Sequence, residues 1–300
     1  MKLPYLIRKG LLYGLHRLAP YFSDEIFLQL KYFIIHGKKL NLDNPRTFSE
    51  KLQWLKLYNR NPKFTLLVDK VKVKDLVATK IGKQYIIPTL AVYESVEDID
   101  FRLLPEKFVI KCNHNSGKGM YICKNKTDID ENKIKKNLNR GLKEDYYITS
   151  REWPYKDVPR KILVEQYMEN GDDAELADYK FFCFNGNPKY CQVIKDRTTN
   201  ETIDFFDMEW KHQSFIGLTP GVKHSATEIL RPKKFELMKS LVTILAEDFA
   251  FSRIDLYDIN GDIYFGEITF FPASGSGEFS PEEWNKKIGD MVELPTLIKD

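Results

Sequence analysis

The sequence predicts a mixed α+β fold, and three observations carry that reading. Several segments repeat apolar residues at helical spacing and open on recognisable caps, clearest in Thr47-Phe-Ser-Glu50. Others alternate apolar and polar residues with period two and meet across Asn185-Gly186 and Asn260-Gly261, which are hairpin turns. The strands should therefore be mostly antiparallel. Composition agrees: among 300 residues, 43% are hydrophobic and 30% charged, which excludes a disordered chain. That length suits one large domain or two coupled lobes. Lys and Arg number 46 against 43 Asp and Glu, a net charge of +3, too even for nonspecific wrapping of nucleic acid, so no nucleic-acid partner is expected. No apolar run approaches the ~20 residues of a membrane helix. Cys112, Cys123, Cys183 and Cys191 form no C-x-x-C pair and read as reduced core residues of a cytosolic protein.

The first forty residues combine seven Lys and Arg with Leu3, Leu6, Ile7, Leu11, Leu12, Leu15 and Leu18 at roughly helical spacing. Arg8 and Lys9 interrupt the clean apolar stretch of a signal peptide. The favoured expectation is a helix packed on the body; the other is a basic amphipathic helix, residues 1–22, on an anionic membrane surface. Next, the Thr47 capping box opens a helix that runs to the breaker Asn61-Pro62, and another should span 69–82. Strands are expected over 85–93, 107–111, Met120–Cys123 and 161–168, with a basic helix over 128–142. Residues 178–184 and 189–195 form a hairpin, Arg231-Pro232 opens an amphipathic helix to about Phe249, and 251–258 with 262–270 form a second hairpin. Ser280-Pro-Glu-Glu283 caps a final helix. There is no internal repeat.

Walker A, G-x-S-x-G and H-E-x-x-H motifs are absent, and the five histidines are scattered, so a metal–histidine site is not expected. What stands out is polar residues punctuating apolar strands. In the 253–269 hairpin, Arg253, Asp255 and Tyr257 share one face of the first strand, and Glu267 and Thr269 share one face of the second. Two carboxylates on rigid strands suit Mg²⁺; a solvated sheet face is the alternative. The loop should hold three residues with Gly261 at positive φ, pairing Asp258 with Asp262. That register sets Asp255 opposite Phe265, on the face of Glu267, whereas a two-residue loop would turn Glu267 away. Second, Lys111 ends a strand before a loop containing Ser116, Gly117, Lys118 and Gly119, which can grip phosphates or be an ordinary surface turn. Third, Glu165 closes an apolar strand ahead of Gln166, Tyr167 and Met168.

In this order and spacing the three features resemble the ATP-grasp superfamily over roughly residues 69–277. The resemblance implies an ATP-grasp fold, in which two α+β lobes hold the nucleotide between mostly antiparallel sheets. It makes residues 1–68 a helical N-terminal region, 69–165 the small lobe and 166–300 the large lobe. It further implies ATP and Mg²⁺, with Lys70 and Lys111 on the nucleotide and Ser116, Gly117 and Gly119 in the phosphate loop. Glu165, Gln166, Tyr167 and Met168 would form the adenine segment. Asp178 would reach ribose, and Lys195 would be a further nucleotide-side cation. Lys180, Arg197 and Arg253 would act in catalysis, and Asp255, Glu267 and Thr269 would hold metal. More narrowly, Asn44-Pro-Arg-Thr-Phe-Ser-Glu-Lys-Leu-Gln-Trp54, Asp178-Tyr-Lys-Phe-Phe-Cys-Phe-Asn-Gly186 and Gly266-Glu-Ile-Thr-Phe-Phe-Pro-Ala-Ser-Gly275 resemble teichuronopeptide-biosynthesis (TupA-type) ATP-grasp proteins, associated with bacterial surface polysaccharides.

Two departures stand out. Thr269 replaces the asparagine that usually ends the metal motif, and residues 1–68 read as helices where the superfamily carries an α/β domain. The implied activity is a cytoplasmic ATP-dependent ligation of a carboxylate to an amine, modifying a surface polysaccharide or its precursor, with the inner face of the membrane as the expected place if residues 1–22 bind it. The competing reading is a glycosyltransferase, whose sequence support is Asp98-Ile-Asp100 and Asp128-Ile-Asp130; both triplets lie beside expected helix starts, where Asp is an ordinary cap.

Overall fold

The computed structural model describes residues 4–171, 176–195 and 199–296, so Arg197 lies outside the described residues. Helices α1 (Tyr5–Leu18) and α2 (Asp24–His36) pair around Leu15, Ala19, Phe27, Leu28 and Tyr32. Of the apolar residues of α1, Leu15 is buried, while Leu6, Ile7, Leu11 and Leu18 are 46–78% exposed. Packing on the body therefore accounts for only part of this helix. The expected capping box opens α3 (Phe48–Tyr58): Thr47 Oγ1 accepts from the Glu50 N–H, and Glu50 Oε2 accepts from the Thr47 N–H. Helices α4 (Lys63–Val68) and α5 (Lys72–Ile81) follow.

Strands β1 (Thr89–Tyr93), β2 (Phe108–Cys112), β3 (Met120–Cys123) and β4 (Ile162–Gln166) form an antiparallel sheet in the order β1-β4-β2-β3. Helix α6 (Glu131–Leu142) covers it with Ile134 and Leu138 against Phe108 and Ile110; α7 (Tyr146–Ser150) comes next. Further on lie β5 (Asp178–Phe184), β6 (Asn187–Lys195), β7 (Thr202–Asp207), β8 (His212–Gln213), β9 (Ile216–Gly217) and α8 (Phe235–Ala246). The chain closes with β10 (Phe251–Ile259), β11 (Asp262–Thr269), β12 (Phe279–Ser280) and α9 (Glu283–Asp290). The larger sheet runs β11-β10-β5-β6-β7-β8, and β9 pairs with β12. The fold is thus α+β with antiparallel sheets. Its main core joins Phe48 and Leu52 of α3, Val73 and Val77 of α5, and Phe235 of α8 to the larger sheet. The buried residues of the small sheet's core lie between 96 and 164, with Ala91 and Tyr93 packed against them. Helix α5, assigned from sequence to the small lobe, places Val73 and Val77 in the main core and packs on α8. All four cysteines are free and buried, and no helix among the described residues is long and apolar enough to cross a membrane.

The β10–β11 hairpin departs from the expected register in an instructive way. Its loop has two residues, not three: Ile259 pairs with Asp262, and Asn260 (φ 54°) and Gly261 (φ 84°) both take positive φ. That is what Asn-Gly favours in a type I′ turn, whose twist matches the flanking strands. Left regular, this register would set Asp255 opposite Gly266. Instead the ladder steps by one residue between Leu256↔Phe265 and Asp255↔Glu267, leaving Gly266 as the extra residue of a bulge. The two carboxylates end up directly paired on one face. A Cβ at Gly266 would lie 3.0 Å from Tyr257 Cε2 and 3.1 Å from the Asp255 carbonyl oxygen, so a side chain in the bulge would have to push its neighbours aside. Gly266→Ala should lower stability by about 1–3 kcal/mol in urea unfolding, the usual cost of overpacking; an unchanged midpoint would contradict this account of the bulge.

Candidate functional site

A cleft of about 480 Å³ opens between the two sheets. One wall carries Lys70 and Lys74, Lys111 of β2, Asn115, Ser116 and Gly117 of the following loop, and Glu165 of β4. The larger sheet contributes Asp178, Lys180, Arg253, Asp255, Glu267 and Thr269. A third wall is made by Tyr146, Glu152, Tyr155 and the turn at 271–274.

The loop after β2 sets the lysines. Asn113, fully buried, donates from Nδ2 to Asp69 Oδ1 (2.8 Å) and accepts from the Lys161 N–H (2.7 Å), which ties the start of α5 to the small sheet. Lys70 Nζ then donates to the Asn115 carbonyl at 2.6 Å. Burial pushes the Lys70 ammonium below its ordinary value. Gly119 (φ 65°) anchors the loop's far end, because a Cβ there would come within 2.6 Å of Cys112 Sγ and 3.0 Å of Gly141 Cα. Gly117 (φ 90°) faces open space. Glu165, though buried, is held below the ordinary carboxylate value: burial opposes this, but Lys111 and Lys74 both bind it, the latter at 2.5 Å. Burial in turn lowers Lys74.

On the larger sheet, Arg253 grips Asp255 with a fork, Nε to Oδ1 at 2.7 Å and Nη2 to Oδ2 at 2.8 Å. The same Nη2 reaches Glu267 Oε1 (2.9 Å) and Thr269 Oγ1 (3.1 Å), and Thr269 donates to Glu267 at 3.2 Å. Lys180 binds Asp255 Oδ2 and lies 3.7 Å from Asp178. Burial raises Asp255 above its usual value despite both cations. Glu267 is the reverse: burial works against its ionisation, but Arg253, Lys180, Lys70 and Lys111 draw it down to about 2. Its side chain keeps 43% of its surface open, where that of Asp255 keeps 2%. Of the pair, Glu267 is the accessible carboxylate.

The cleft brings together Lys70, Lys111, Ser116, Gly117, Glu165, Asp178, Lys180, Arg253, Asp255, Glu267 and Thr269. Gln166, Tyr167, Met168 and Lys195 are not among its lining residues; Tyr167 instead lies under Lys107, and Lys195 ends β6 opposite Thr202. Glu165 enters through its side chain, as the partner of two lysines, and its neighbours along β4 are engaged in the sheet. Sequence reasoning passed over Lys74, Tyr146, Glu152, Tyr155 and the 271–274 turn. A signal existed for Lys74, four residues after Lys70 in the segment expected to be helical over 69–82. Of the D-x-D residues, Asp100 and Asp130 serve as caps, accepting from the Arg102 and Lys133 N–H groups, while Asp128 accepts from the Asn125 side chain.

A family profile described as TupA-like ATPgrasp matches residues 50–293. The chain belongs to the TupA-like ATP-grasp family. Among solved structures, it is similar to D-alanine–D-alanine ligase from Bacillus anthracis complexed with ATP (16% identity, TM-score 0.40, 68% of this chain, 54% of that one). The Helicobacter pylori D-alanine–D-alanine ligase is similar at 15% identity and TM-score 0.41, over 82% of this chain and 69% of that one. The ATP-grasp ligase PsnB, complexed with minimal precursor, Mg and ADP, matches at 13% and 0.39, over 81% and 65%. The chain spans about half the length of the first of these ligases. No curated protein matches it.

The Glu165 cluster gives a pH prediction. A carboxylate whose folded value is depressed contributes stability above its unfolded value and loses it as pH falls through the folded one. Glu165 should therefore stabilise fully above pH 4.5, its ordinary value, and progressively less below it. Glu165→Gln leaves two lysines facing an uncharged partner and should cost about 3–5 kcal/mol at pH 7, the figure for breaking a buried pair. Urea melts across pH 3–7 check it: the deficit should shrink towards acid, and a pH-independent deficit would reject the ion-pair account.

Proposed function

We propose that this protein is an ATP-dependent carboxylate–amine ligase acting on a bacterial surface polysaccharide or its precursor. The observation that carries the reading is one cleft in which Lys70, Lys74 and Lys111 face the paired carboxylates Asp255 and Glu267. Lysines and loop amides are phosphate-binding groups, and one or two carboxylates beside phosphates are the usual setting for Mg²⁺. The donor set fits that ion: Glu267 is open to the cleft and Asp255 is its direct cross-strand partner, with the Thr269 hydroxyl on Glu267. When bound there, Mg²⁺ would neutralise phosphate charge. ATP enters as substrate. An oxygen of the acid attacks the γ-phosphorus, and the bond to the ADP oxygen breaks. The amine nitrogen then attacks the acyl carbon, expelling phosphate and losing a proton. Lys70 and Lys111 stabilise charge on the transferring phosphoryl group, and Arg253 stabilises the oxyanion at the acyl carbon. Ser116 and Gly117 would close over the phosphates with Gly119 as anchor, and Asp178 would face the ribose. The amide-forming step and the polymer rest on the TupA-type resemblance.

Asp255→Asn and Glu267→Gln should each cut ADP release by about 10²–10³-fold at saturating ATP and leave the fold intact. Thr269→Asn should preserve or improve metal affinity, and Asp98→Asn and Asp128→Asn should change nothing. Near-normal activity in Asp255→Asn, with loss in either D-x-D variant, would instead establish the glycosyltransferase reading.

The same proposal puts the protein in the cytoplasm with α1 on the inner face of the membrane. Support comes from the exposed Leu6, Ile7 and Leu11 beside Arg8 and Lys9. Sedimentation with vesicles containing anionic lipid should show binding that weakens at least about tenfold when exposed Leu6 and Leu11 become Ser, since each burial in lipid contributes about 1.5–3 kcal/mol. Binding unaffected by these changes would remove the membrane contact.

A further inference from the structure

We propose that Asp204, His212 and His224 form a zinc-binding site at the outer edge of the larger sheet, separate from the nucleotide cleft. The three come from separate segments. Asp204 lies on β7 and His212 on β8, whose ladder pairs Phe206 with His212. His224 follows Lys223, which bridges to Thr202 and accepts from the Ile203 N–H at 3.0 Å. This folding brings together two histidines that are twelve positions apart in sequence.

The two rings converge on one oxygen. Asp204 Oδ1 lies 2.8 Å from His212 Nε2 and 3.0 Å from His224 Nδ1, and the rings stand at 72° with centroids 4.8 Å apart. His224 Nδ1 is also 3.2 Å from the Ile203 carbonyl oxygen. The three ligand atoms fall within 4.8 Å of one another, a group a single ion can span. Asp204 is only 3% exposed, and the Ser225 N–H donates to its Oδ2 at 3.0 Å, so the carboxylate is oriented by the backbone behind it. A set of two imidazoles and one carboxylate matches Zn²⁺ bound by three protein ligands, whereas Mg²⁺ and Ca²⁺ prefer oxygen alone. The fourth position is accessible: the His212 and His224 side chains are 46% and 31% exposed. His224 also lines a groove of about 900 Å³, which runs to Ala273 beside the nucleotide cleft. Zinc here would clip the two-residue edge strand β8 and the segment carrying His224 onto β7.

The test is equilibrium dialysis of the full-length, tag-free protein against zinc chloride, with millimolar Mg²⁺ present to occupy the carboxylate hairpin. Wild type should bind one zinc per chain, and His212→Ala, His224→Ala and Asp204→Asn should each weaken it at least about tenfold. His212 is half exposed and Asp204→Asn is nearly isosteric, so these variants should keep the fold, as circular dichroism would check. A cobalt-substituted sample should show tetrahedral absorption bands that disappear in His212→Ala. Equal zinc uptake by wild type and all three variants, or none by wild type at micromolar zinc, would overturn the site.

Discussion

Strict alternation leaves a hairpin little freedom: once a turn fixes the register, every side chain along both strands is assigned to a face. The Asn260-Gly261 turn fixes a register that would set Asp255 across from Gly266 and send Glu267 to the opposite side. Everything in the cleft depends on the single-residue step that cancels this. By inserting Gly266 as an unpaired residue, the sheet lets the turn keep its preferred geometry at one end while Asp255 faces Glu267 at the other. Arg253 can then span both carboxylates and Thr269 from one guanidinium. Glycine suits the bulge, since a side chain at residue 266 would crowd Tyr257 and the Asp255 carbonyl.

Around this hairpin the charges are balanced locally. Asp255 has Arg253 and Lys180, Glu165 has Lys74 and Lys111, and Glu267 has Arg253. Such pairing offsets the large desolvation cost of placing charges in a cleft, and it also stores a set of exchangeable partners. A magnesium nucleotide carries both signs. Under the proposed activity, its metal would compete for the carboxylates and its phosphates for the lysines, so charge neutrality would be kept while partners change. The opposite pKa directions of Asp255 and Glu267 accompany different surroundings: one carboxylate is buried between two cations, the other more open to the cleft and readily ionised.

Local signals in the sequence were legible and distant ones were not. The Thr47–Glu50 capping box, both Asn-Gly turns and the strands carrying Lys111, Glu165 and Asp255 follow from residues a few positions apart. The bulge did not, because Gly266 reads as any glycine until the register of its partner strand is known. Likewise the wall of Tyr146, Glu152, Tyr155 and residues 271–274 is assembled from segments more than a hundred residues apart. His212 and His224 looked scattered because their proximity is made by β-pairing and a bridge at Thr202. For Gln166, Tyr167 and Met168 the resemblance implied an adenine segment, and of residues 165–168 Glu165 is the one that lines the cleft.

The helical N-terminal region takes part in the site through the turn after β11. Ala273 (φ 50°) and Ser274 (φ 52°) both adopt left-handed backbone, at a cost on the order of 1–3 kcal/mol each for residues other than glycine. Helix α3 holds them there. Lys56 Nζ donates to the Ser274 carbonyl and the Ser150 carbonyl, each at 2.8 Å, and to Ser274 Oγ at 3.1 Å; Gln53 Nε2 donates to the Gly275 carbonyl at 2.7 Å. Hydrogen bonds from a charged group contribute about 1.5–3 kcal/mol, the same size as the strain they oppose. Burial pushes Lys56 down to about 7, and the charge of the nearby Glu152 opposes that fall. The strained turn forms one wall of the cleft between the sheets and also borders the groove that leads towards His224. A helix outside the two sheets thereby sets the shape of the surface between their cleft and that groove, which under the proposed activity is a surface open to an acceptor.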